Sequence, residues 1–244
     1  MRVYRLDIAY DGAGFRGYAR QTGIRTVQGE LETALGTLLK TEVATAVAGR
    51  TDAGVHARHQ VVSFQHEDVA DLDQLARSLQ GLVGPEIAVR AMTAASEDFS
   101  ARFSATWRRY RYRIDTRRAH DPLTRGFVWH VGRPLDLTAM RAAAAVFVGE
   151  HDFSSFCRSV EGKSNVRMVT ELSVEEDDGL IDVWAQANAF CHQMVRSLVG
   201  YLYDVGRGFS DGAKAVEILV ARDRSAVATV APAHGLTLWE VGYG

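Results

Sequence analysis

Hydrophobic and polar side chains alternate with two periods along the first part of the chain, and these periods predict strands and helices. Residues 3–10 alternate as the two faces of a half-buried strand do. Thr26 and Asp71 are good N-caps for two helices with an apolar stripe, one reaching Lys40 and the other Leu82. Further strands are predicted at residues 41–48, 60–65 and 87–92. The order of these elements predicts an α+β lobe with a largely antiparallel sheet and helices on one face.

The rest of the chain repeats this outline without repeating its sequence. Asp136 is a good N-cap for a helix, and Gly149 follows it. A second strong helix is predicted at residues 189–205, and Asp211 begins a further helix. Strands are predicted at residues 107–114, 169–174, 180–187 and 236–241. We therefore expect two α+β lobes, residues 1–103 and residues 104–244, each with a largely antiparallel mixed sheet flanked by helices.

Length and composition limit the possible classes of protein. The 244 residues are 47% hydrophobic, which suffices for one large core or two smaller ones. No apolar run reaches the roughly 18 residues that a membrane span needs, and no basic-then-apolar leader follows Met1. We therefore expect a cytoplasmic protein without a membrane partner. Cys157 and Cys191 lack metal-site spacing and are predicted to be reduced structural thiols.

One acidic residue in a glycine-flanked turn is the first candidate for chemistry. Asp52 lies between two predicted strands, with Arg50 two residues before it. Gly49 and Gly54 allow the backbone to turn tightly and to approach a ligand closely. An aspartate in a turn commonly just caps its own backbone, so both a structural and a catalytic role are open at this point.

The glycines at positions 12, 14 and 17 match a dinucleotide-binding fingerprint, but their context does not. That fingerprint requires a helix to open directly at the glycines, so that its N-terminus meets the pyrophosphate. Here the loop continues and the first helix begins only after Thr26. We therefore expect no dinucleotide cofactor.

Arginine and aromatic side chains are interleaved in the strand predicted at residues 107–114. Arg109, Arg111 and Arg113 share one face of this strand, and Tyr110 and Tyr112 share the other. The cationic face could bind phosphates and an aromatic ring could stack on a base. Equally, this pattern is typical of a strand with a solvated face and tyrosines in the core. The net charge of −2 argues against a protein that simply coats nucleic acid, although a local basic groove is compatible with it.

The helix predicted at residues 189–205 carries a second set of polar candidates. His192, Arg196 and Gly200 are spaced four residues apart, away from the apolar stripe. Gly200 would let another backbone approach closely, and Arg196 could point into a cleft. The alternative is that His192 and Arg196 form the solvated face of the helix.

Taken together, these stretches resemble the tRNA pseudouridine synthase A family over essentially the whole chain. GRTDAGVHA at residues 49–57 is the most specific match. The other matches are YDGxxFxGYxRQ at 10–21, ARFSATxRRYRYRI at 101–114, HDFSSF at 151–156, ANAFCHQMVR at 187–196 and VGRG at 205–208. Departures from the family's pattern fall at residues 17–19, 80–84 and 161–167, which leaves the catalytic loop unchanged.

The resemblance implies a fold, an activity and partners. The fold would be that of the pseudouridine synthases, with a cleft between the two lobes. The activity would be isomerisation of uridine to pseudouridine in the anticodon stem-loop of tRNA, by a homodimer that needs no cofactor and no metal.

The resemblance also implies roles for individual residues. Asp52 would be the catalytic carboxylate, and Arg50 would help to hold the target nucleotide out of its stack. Tyr110 would pack on the target uracil, and Arg196 would be the partner of Asp52. From the residue pattern rather than from the resemblance, Arg108, Arg109, Arg111 and His192 are further candidates for contact with RNA.

Two other functions are compatible with the same residues. One is a non-catalytic RNA-binding module in which Asp52 is structural. The other is a hydrolase that cleaves a nucleoside with Asp52 as nucleophile. Formation of a base isomer of unchanged mass, release of free uracil, or neither product would separate the three.

Overall fold

The computed structural model describes residues 1–158, 162 and 164–244. The chain forms two compact units, one comprising Met1–Thr106 with Leu238–Gly244 and the other Trp107–Thr237. The sequence-based division between residues 103 and 104 differs in two respects, because the boundary lies between Thr106 and Trp107 and because residues 238–244 belong to the first unit. Glu161 and Lys163, in a segment where the sequence departs from the family's pattern, lie outside the described residues.

Each unit combines a largely antiparallel sheet with helices, which confirms the predicted α+β class. The strands are β1 (Arg2–Tyr10), β2 (Thr45–Val47), β3 (His56–His66), β4 (Ile87–Ala95), β5 (Ala105–Asp115), β6 (Trp129–His130), β7 (Gly149–Asp152), β8 (Val166–Asp177), β9 (Leu180–Ala187) and β10 (Leu236–Tyr243). The helices are α1 (Val27–Leu39), α2 (Leu72–Leu82), α3 (Leu137–Ala145), α4 (Met194–Gly206) and α5 (Ala215–Ala221).

The sheet of the first unit is antiparallel and positions two loops beside each other. The strand order is β4-β1-β3, with β2 and β10 each paired to β3. On one face of β1, Leu6 and Ile8 are fully buried, as are Leu35 of α1 and Leu79 of α2. This core holds in place the loop that follows β1 and the loop that precedes β3.

The N-caps predicted for the two helices of the first unit are confirmed. The side chain of Thr26 accepts a hydrogen bond from the backbone N–H of Gly29, and that of Asp71 from the backbone N–H of Gln74. Each bond satisfies one of the N–H groups that a helix leaves without an internal partner. The first N–H groups of α1 are taken up by the loop after β1, because those of Val27 and Gln28 donate to the carbonyl oxygens of Gly17 and Tyr18.

The second unit is built on an antiparallel sheet of order β5-β9-β8-β7, and the short strand β6 pairs in parallel with β5. The β8–β9 hairpin turns at Asp178 and Gly179, both with positive φ, as the Asp-Gly sequence predicts. Phe147, Phe156 and Leu198 are fully buried in the core of this unit.

One predicted helix begins later than expected. The helix α4 starts at Met194 and not at residue 189, because Gln193 has a left-handed conformation with φ of 66°. His192 therefore lies before the helix and does not share a helical face with Arg196, which corrects the predicted line of His192, Arg196 and Gly200. The prediction for Gly200 is confirmed, since a Cβ atom there would collide with the carbonyl oxygen of Thr229.

The two cysteines are paired, contrary to the prediction of free thiols. Cys157 and Cys191 form a disulfide with their Cα atoms 5.7 Å apart, a separation that disulfides span. The prediction was wrong because it rested on spacing along the sequence, and the fold brings together residues 34 positions apart.

Among the residues that the structure describes, none of the helices has both the length and the apolar character that a membrane span requires.

Candidate active site

Asp52 lies in the loop that connects β2 to β3. The loop turns at this residue, since the backbone N–H of Val55 donates to the carbonyl oxygen of Asp52 at 3.1 Å. Gly54 has φ of 77°, a conformation that favours glycine and completes the turn. The Asp52 side chain is half-buried, and Arg50 in the same loop is exposed. These two predicted site residues are close because they lie two positions apart in the same loop, and their roles stay predictions.

The glycine-rich loop after β1 packs on the Asp52 loop and anchors it. The backbone N–H of Tyr18 donates to the carbonyl oxygen of Thr51 at 3.0 Å, and that of Gly54 donates to Phe15 at 3.4 Å. Gly17 has φ of 96°, and a Cβ atom there would lie only 3.1 Å from the Thr51 oxygen. The glycines of this loop thus permit close packing of two backbones.

His56 is a structural residue at the start of β3. Its side chain is buried, and its Nδ1 accepts a hydrogen bond from the backbone N–H of Gly12 at 3.0 Å. The same nitrogen lies 3.0 Å from a carboxylate oxygen of Asp11. His56 therefore ties the loop after β1 to the loop before β3.

An open depression adjoins the Asp52 loop within the first unit. Its volume is about 440 Å³, and it is lined by residues 13–16 together with Ala53 and Gly54. The exposed Arg16 gives it a cationic side. Guanidinium groups are suited to phosphate oxygens.

Three buried polar side chains beneath the Asp52 loop were not predicted. Tyr10, Thr51 and Gln60 are all buried and hydrogen-bonded to one another. Burial raises the pKa of Tyr10 to about 12, although its bonds to Thr51 and Gln60 act in the opposite direction. The Tyr10 hydroxyl therefore stays protonated at neutral pH. A glutamine at an inward position of β3 was the one signal in the sequence that could have revealed them.

Tyr110 occupies an inward position of β5, as the alternation predicted. It is 7% exposed, and its ring meets that of Phe190 edge-on with centroids 5.2 Å apart. The next inward residue, Tyr112, donates its hydroxyl hydrogen to the carbonyl oxygen of Pro232 at 2.9 Å. Burial raises the pKa of Tyr112, and the positive charge of Arg196 acts in the opposite direction.

Arg196 is half-buried in the first turns of α4. Its Nε donates to the carbonyl oxygen of Ala231 at 2.8 Å, and the N–H of Ala231 donates to the carbonyl oxygen of Arg196 at 3.0 Å. Asp52 belongs to the first unit, and Arg196 and Tyr110 belong to the second. The pairing of Arg196 with Asp52 stays a prediction.

The outward arginines of β5 are engaged by carboxylates of neighbouring strands. Arg109 makes a bidentate pair with Glu171, with both nitrogen–oxygen distances 2.9 Å, and its guanidinium lies 4.4 Å from the Trp184 ring centroid. Arg113 makes a similar pair with Asp182 at 2.8 Å, which raises the pKa of Arg113. A phosphate would have to compete with these carboxylates.

The other predicted RNA contacts have different surroundings. Arg108 is buried on the inner face of β5 and donates to the carbonyl oxygen of Asn188 at 2.8 Å. Arg111 lies 4.0 Å from the Asp182 carboxylate. His192 is exposed, and its carbonyl oxygen accepts from the N–H of Arg158 at 3.0 Å. Contact of any of these residues with RNA stays a prediction.

Metal ligation has no obvious place in the described part of the chain. Within residues 1–158, 162 and 164–244, no three histidine, cysteine, aspartate or glutamate side chains converge as the ligands of a metal ion would.

Comparison with known proteins assigns the chain to a family. The profile of a family described as tRNA pseudouridine synthase matches residues 143–244. A tRNA pseudouridine synthase A from Streptomyces griseus is 46% identical and covers 98% of this chain and 87% of its own. A protein of the same name from Brevibacillus brevis is 41% identical and covers 100% of both chains.

Similarity of this degree over the whole chain defines the protein as a pseudouridine synthase. Within that class, it belongs to the tRNA pseudouridine synthase A family. The resemblance stated from the motifs is thereby confirmed.

Among solved structures, an archaeal box H/ACA sRNP Nop10–Cbf5 complex matches 82% of this chain and 43% of its own, with 13% identity and a TM-score of 0.35. This structural similarity is too low for a comparison of sites.

Proposed function

We propose that this protein isomerises uridine to pseudouridine in tRNA, with Asp52 as the catalytic carboxylate. The observation that carries the proposal is the presentation of Asp52 in a turn anchored on both sides. The carboxylate is half-buried, while the residues before and after it are fixed by hydrogen bonds to the loop after β1. Membership of the family and the intact GRTDAGVHA stretch support the same assignment.

The reaction requires one acidic group and no net exchange of atoms. The bond between uracil N1 and ribose C1′ breaks, the base turns, and a bond forms between C5 and C1′. C5 loses its proton and N1 gains one, so the mass is unchanged. C1′ becomes electron-poor as its bond to N1 breaks, and an ionised carboxylate can stabilise it, attack it or accept a ribose proton. A glycosidase, in contrast, uses two carboxylates.

The target uridine must leave its stack to reach Asp52, which costs a few kcal/mol. We propose that the exposed Arg50 helps to hold the extruded nucleotide through its phosphate. We also propose that Tyr110 packs on the uracil, an interaction worth roughly 1–3 kcal/mol. Arg16, on the depression beside Asp52, is placed to bind a neighbouring phosphate.

The test is the product formed by the wild-type protein and by Asp52→Asn from a tRNA transcript. We expect the wild type to form a base isomer of unchanged mass and Asp52→Asn to form none while still binding tRNA, because an amide cannot supply the negative charge. Asp73→Asn, which removes an exposed charge from the same unit, is the matched control and should remain active. Free uracil as product would instead show a hydrolase, and no product from the wild type would show a binding module.

We also propose that the protein acts as a homodimer in the cytoplasm, on anticodon stem-loop uridines. This assignment follows the family resemblance. Light scattering during size-exclusion chromatography gives the oligomeric state, and a mass near that of one 26.8 kDa chain would contradict the dimer. Mapping of modified positions in tRNA isolated with and without the protein gives the target uridines.

A further inference from the structure

We propose that Gln60, Tyr10 and Thr51 are positioning residues that hold the Asp52 backbone in its catalytic orientation through a buried chain of hydrogen bonds. The inference rests on the proposed function of Asp52 and extends it to three residues that do not touch the substrate. Tyr10 ends strand β1, Gln60 lies within β3, and Thr51 immediately precedes Asp52.

The chain of hydrogen bonds runs from the sheet to the loop. Gln60 Nε2 donates to the carbonyl oxygen of Gly49 at 2.7 Å and to the Tyr10 hydroxyl oxygen at 3.3 Å. The Tyr10 hydroxyl lies 2.7 Å from Thr51 Oγ1. The carbonyl oxygen of Gly49 is thus bound directly by the Gln60 amide. The hydroxyl of Thr51 is connected to the same amide through Tyr10.

The direction of the two bonds made by Gln60 follows from the groups that take part. A carbonyl oxygen can only accept, so the nitrogen of the Gln60 amide must face Gly49. The second hydrogen of that nitrogen is then directed at the Tyr10 oxygen, and the hydroxyl hydrogen of either Tyr10 or Thr51 completes the bond between these two residues. Because the pKa of Tyr10 is raised to about 12, its hydroxyl stays protonated throughout the pH range in which tRNA is handled.

Thr51 is held at both of its polar groups. Its hydroxyl is bound by Tyr10, and its carbonyl oxygen accepts from the N–H of Tyr18 at 3.0 Å. The peptide that joins Thr51 to Asp52 therefore has little freedom to rotate. Displacement of a reacting group by about 1 Å can cost on the order of 100-fold in rate, so such restraint matters for turnover.

Gln60 occupies a buried position where an apolar side chain would be expected. It is fully buried, and it lies opposite Ile8 on β1. Its Oε1 is buried without a hydrogen-bond partner among the described residues, which costs stability. A residue selected only for packing would avoid this cost, so the geometry points to a role in holding the loop.

The experiment compares turnover, KM for tRNA and melting temperature for variants that remove hydrogen bonds of this chain. Thr51→Val removes the bond to Tyr10, and Tyr10→Phe removes that bond and the bond from Gln60. We expect each variant to lower kcat by about 10- to 100-fold and to change KM by less than about twofold. Thr51→Ser keeps the hydroxyl and should restore kcat to within about threefold of the wild type. The double variant Tyr10→Phe/Thr51→Val should be no worse than Tyr10→Phe, which already removes both bonds.

Gln60→Met separates positioning from stability. Methionine is of similar size and removes the unpartnered oxygen, which favours the fold, but it also removes the bonds to Gly49 and Tyr10, which disfavours it. We expect kcat, measured well below the melting temperature, to fall about 10-fold whichever of these two effects on stability is larger. A merely structural role for Gln60 predicts an unchanged kcat.

Tyr4→Phe is the matched control for Tyr10→Phe. Tyr4 is buried on the same face of β1, and its hydroxyl donates to the carbonyl oxygen of Glu67 at 3.0 Å and accepts from the N–H of Val69 at 2.9 Å. We expect Tyr4→Phe to lower the melting temperature and leave kcat unchanged. If Tyr10→Phe and Thr51→Val keep wild-type kcat, the positioning role is overturned while the proposed function stands. If the wild type forms no isomer, both are overturned.

Discussion

Tyr110 combines a flat ring with a hydroxyl, and substitution can separate the two. The ring already meets Phe190 edge-on within the second unit, so its plane is fixed before any base is bound. A fixed plane reduces the entropy lost when a base stacks on it.

We expect Tyr110→Phe to keep the ring stacking and the tRNA affinity, and to lose only what the hydroxyl contributes to proton transfer. Tyr110→Ala should lose affinity and turnover together, because it removes a stacking surface worth roughly 1–3 kcal/mol. Steady-state kinetics on a tRNA transcript give kcat and KM for both variants. Because truncation of a buried aromatic ring can cost about 3–5 kcal/mol of stability, the melting temperature of Tyr110→Ala must be measured alongside. Equal damage from the two substitutions would count against stacking.

Strand β5 shows what alternation along a sequence can and cannot predict. An alternation with a period of two predicts that Tyr110 and Tyr112 point inward and that the arginines at 109, 111 and 113 point outward. The structure confirms both orientations. The partners of the arginines were not predictable in this way. Glu171 lies 62 positions from Arg109, and Asp182 lies 69 positions from Arg113, and only the pairing of β9 with β5 and β8 brings them together.

Backbone geometry limited what could be predicted for helix α4 and for the surroundings of the Asp52 loop. The strong apolar pattern of α4 extends before Met194, and nothing in the residue type of Gln193 announces its left-handed conformation. The loop that holds Asp52 could be singled out from its own residues because glycines flank the aspartate. Tyr10 and Gln60, which anchor this loop, lie on separate strands. Their contact could be predicted only if the register of β1 and β3 were known.

The end of β5 also gives the fold a dependence on pH. The side chain of Asp115 is fully buried. Its two carboxylate oxygens accept hydrogen bonds from Nε and a terminal nitrogen of Arg117, each at 2.9 Å. The hydrogen bonds from Arg117 lower the pKa of Asp115, and desolvation opposes them. A carboxyl group with a lowered pKa in the folded state stabilises the fold above its unfolded-state pKa of about 3.9, and this contribution is lost as the pH falls through the folded-state value.

We therefore expect the wild-type melting temperature to fall as the pH is lowered from about 4 through the folded-state pKa of Asp115, and that of Asp115→Asn to be lower at pH 7 and to change less over the same interval. Asp177→Asn, which alters an exposed carboxylate of β8 in the same unit, should follow the wild type. Calorimetry across this pH range measures all three. Identical pH profiles for the wild type and Asp115→Asn would show that the ion pair contributes nothing to the pH dependence.

For the whole molecule, the charge balance determines how it can bind a polyanion. The 28 lysines and arginines are outnumbered by 30 aspartates and glutamates, so the chain as a whole does not attract tRNA. Binding must depend on local groups of cations, and the structure separates exposed ones such as Arg50 from paired ones such as Arg109. These two classes should differ in the salt dependence of tRNA binding.

Removal of one cation that binds a phosphate lowers the slope of log affinity against log salt concentration by about one. We expect Arg50→Ala to lower the slope by about this amount. Arg109→Ala should lower it by less, because the guanidinium of Arg109 is already neutralised by Glu171. Titration of tRNA binding at several salt concentrations measures the slopes, with Arg2→Ala, an exposed arginine paired with Asp68, as the control for the removal of one positive charge. A decrease of a full unit on substitution of Arg109 would mean that phosphate displaces the carboxylate and that the outward face of β5 binds RNA, as its sequence pattern allows.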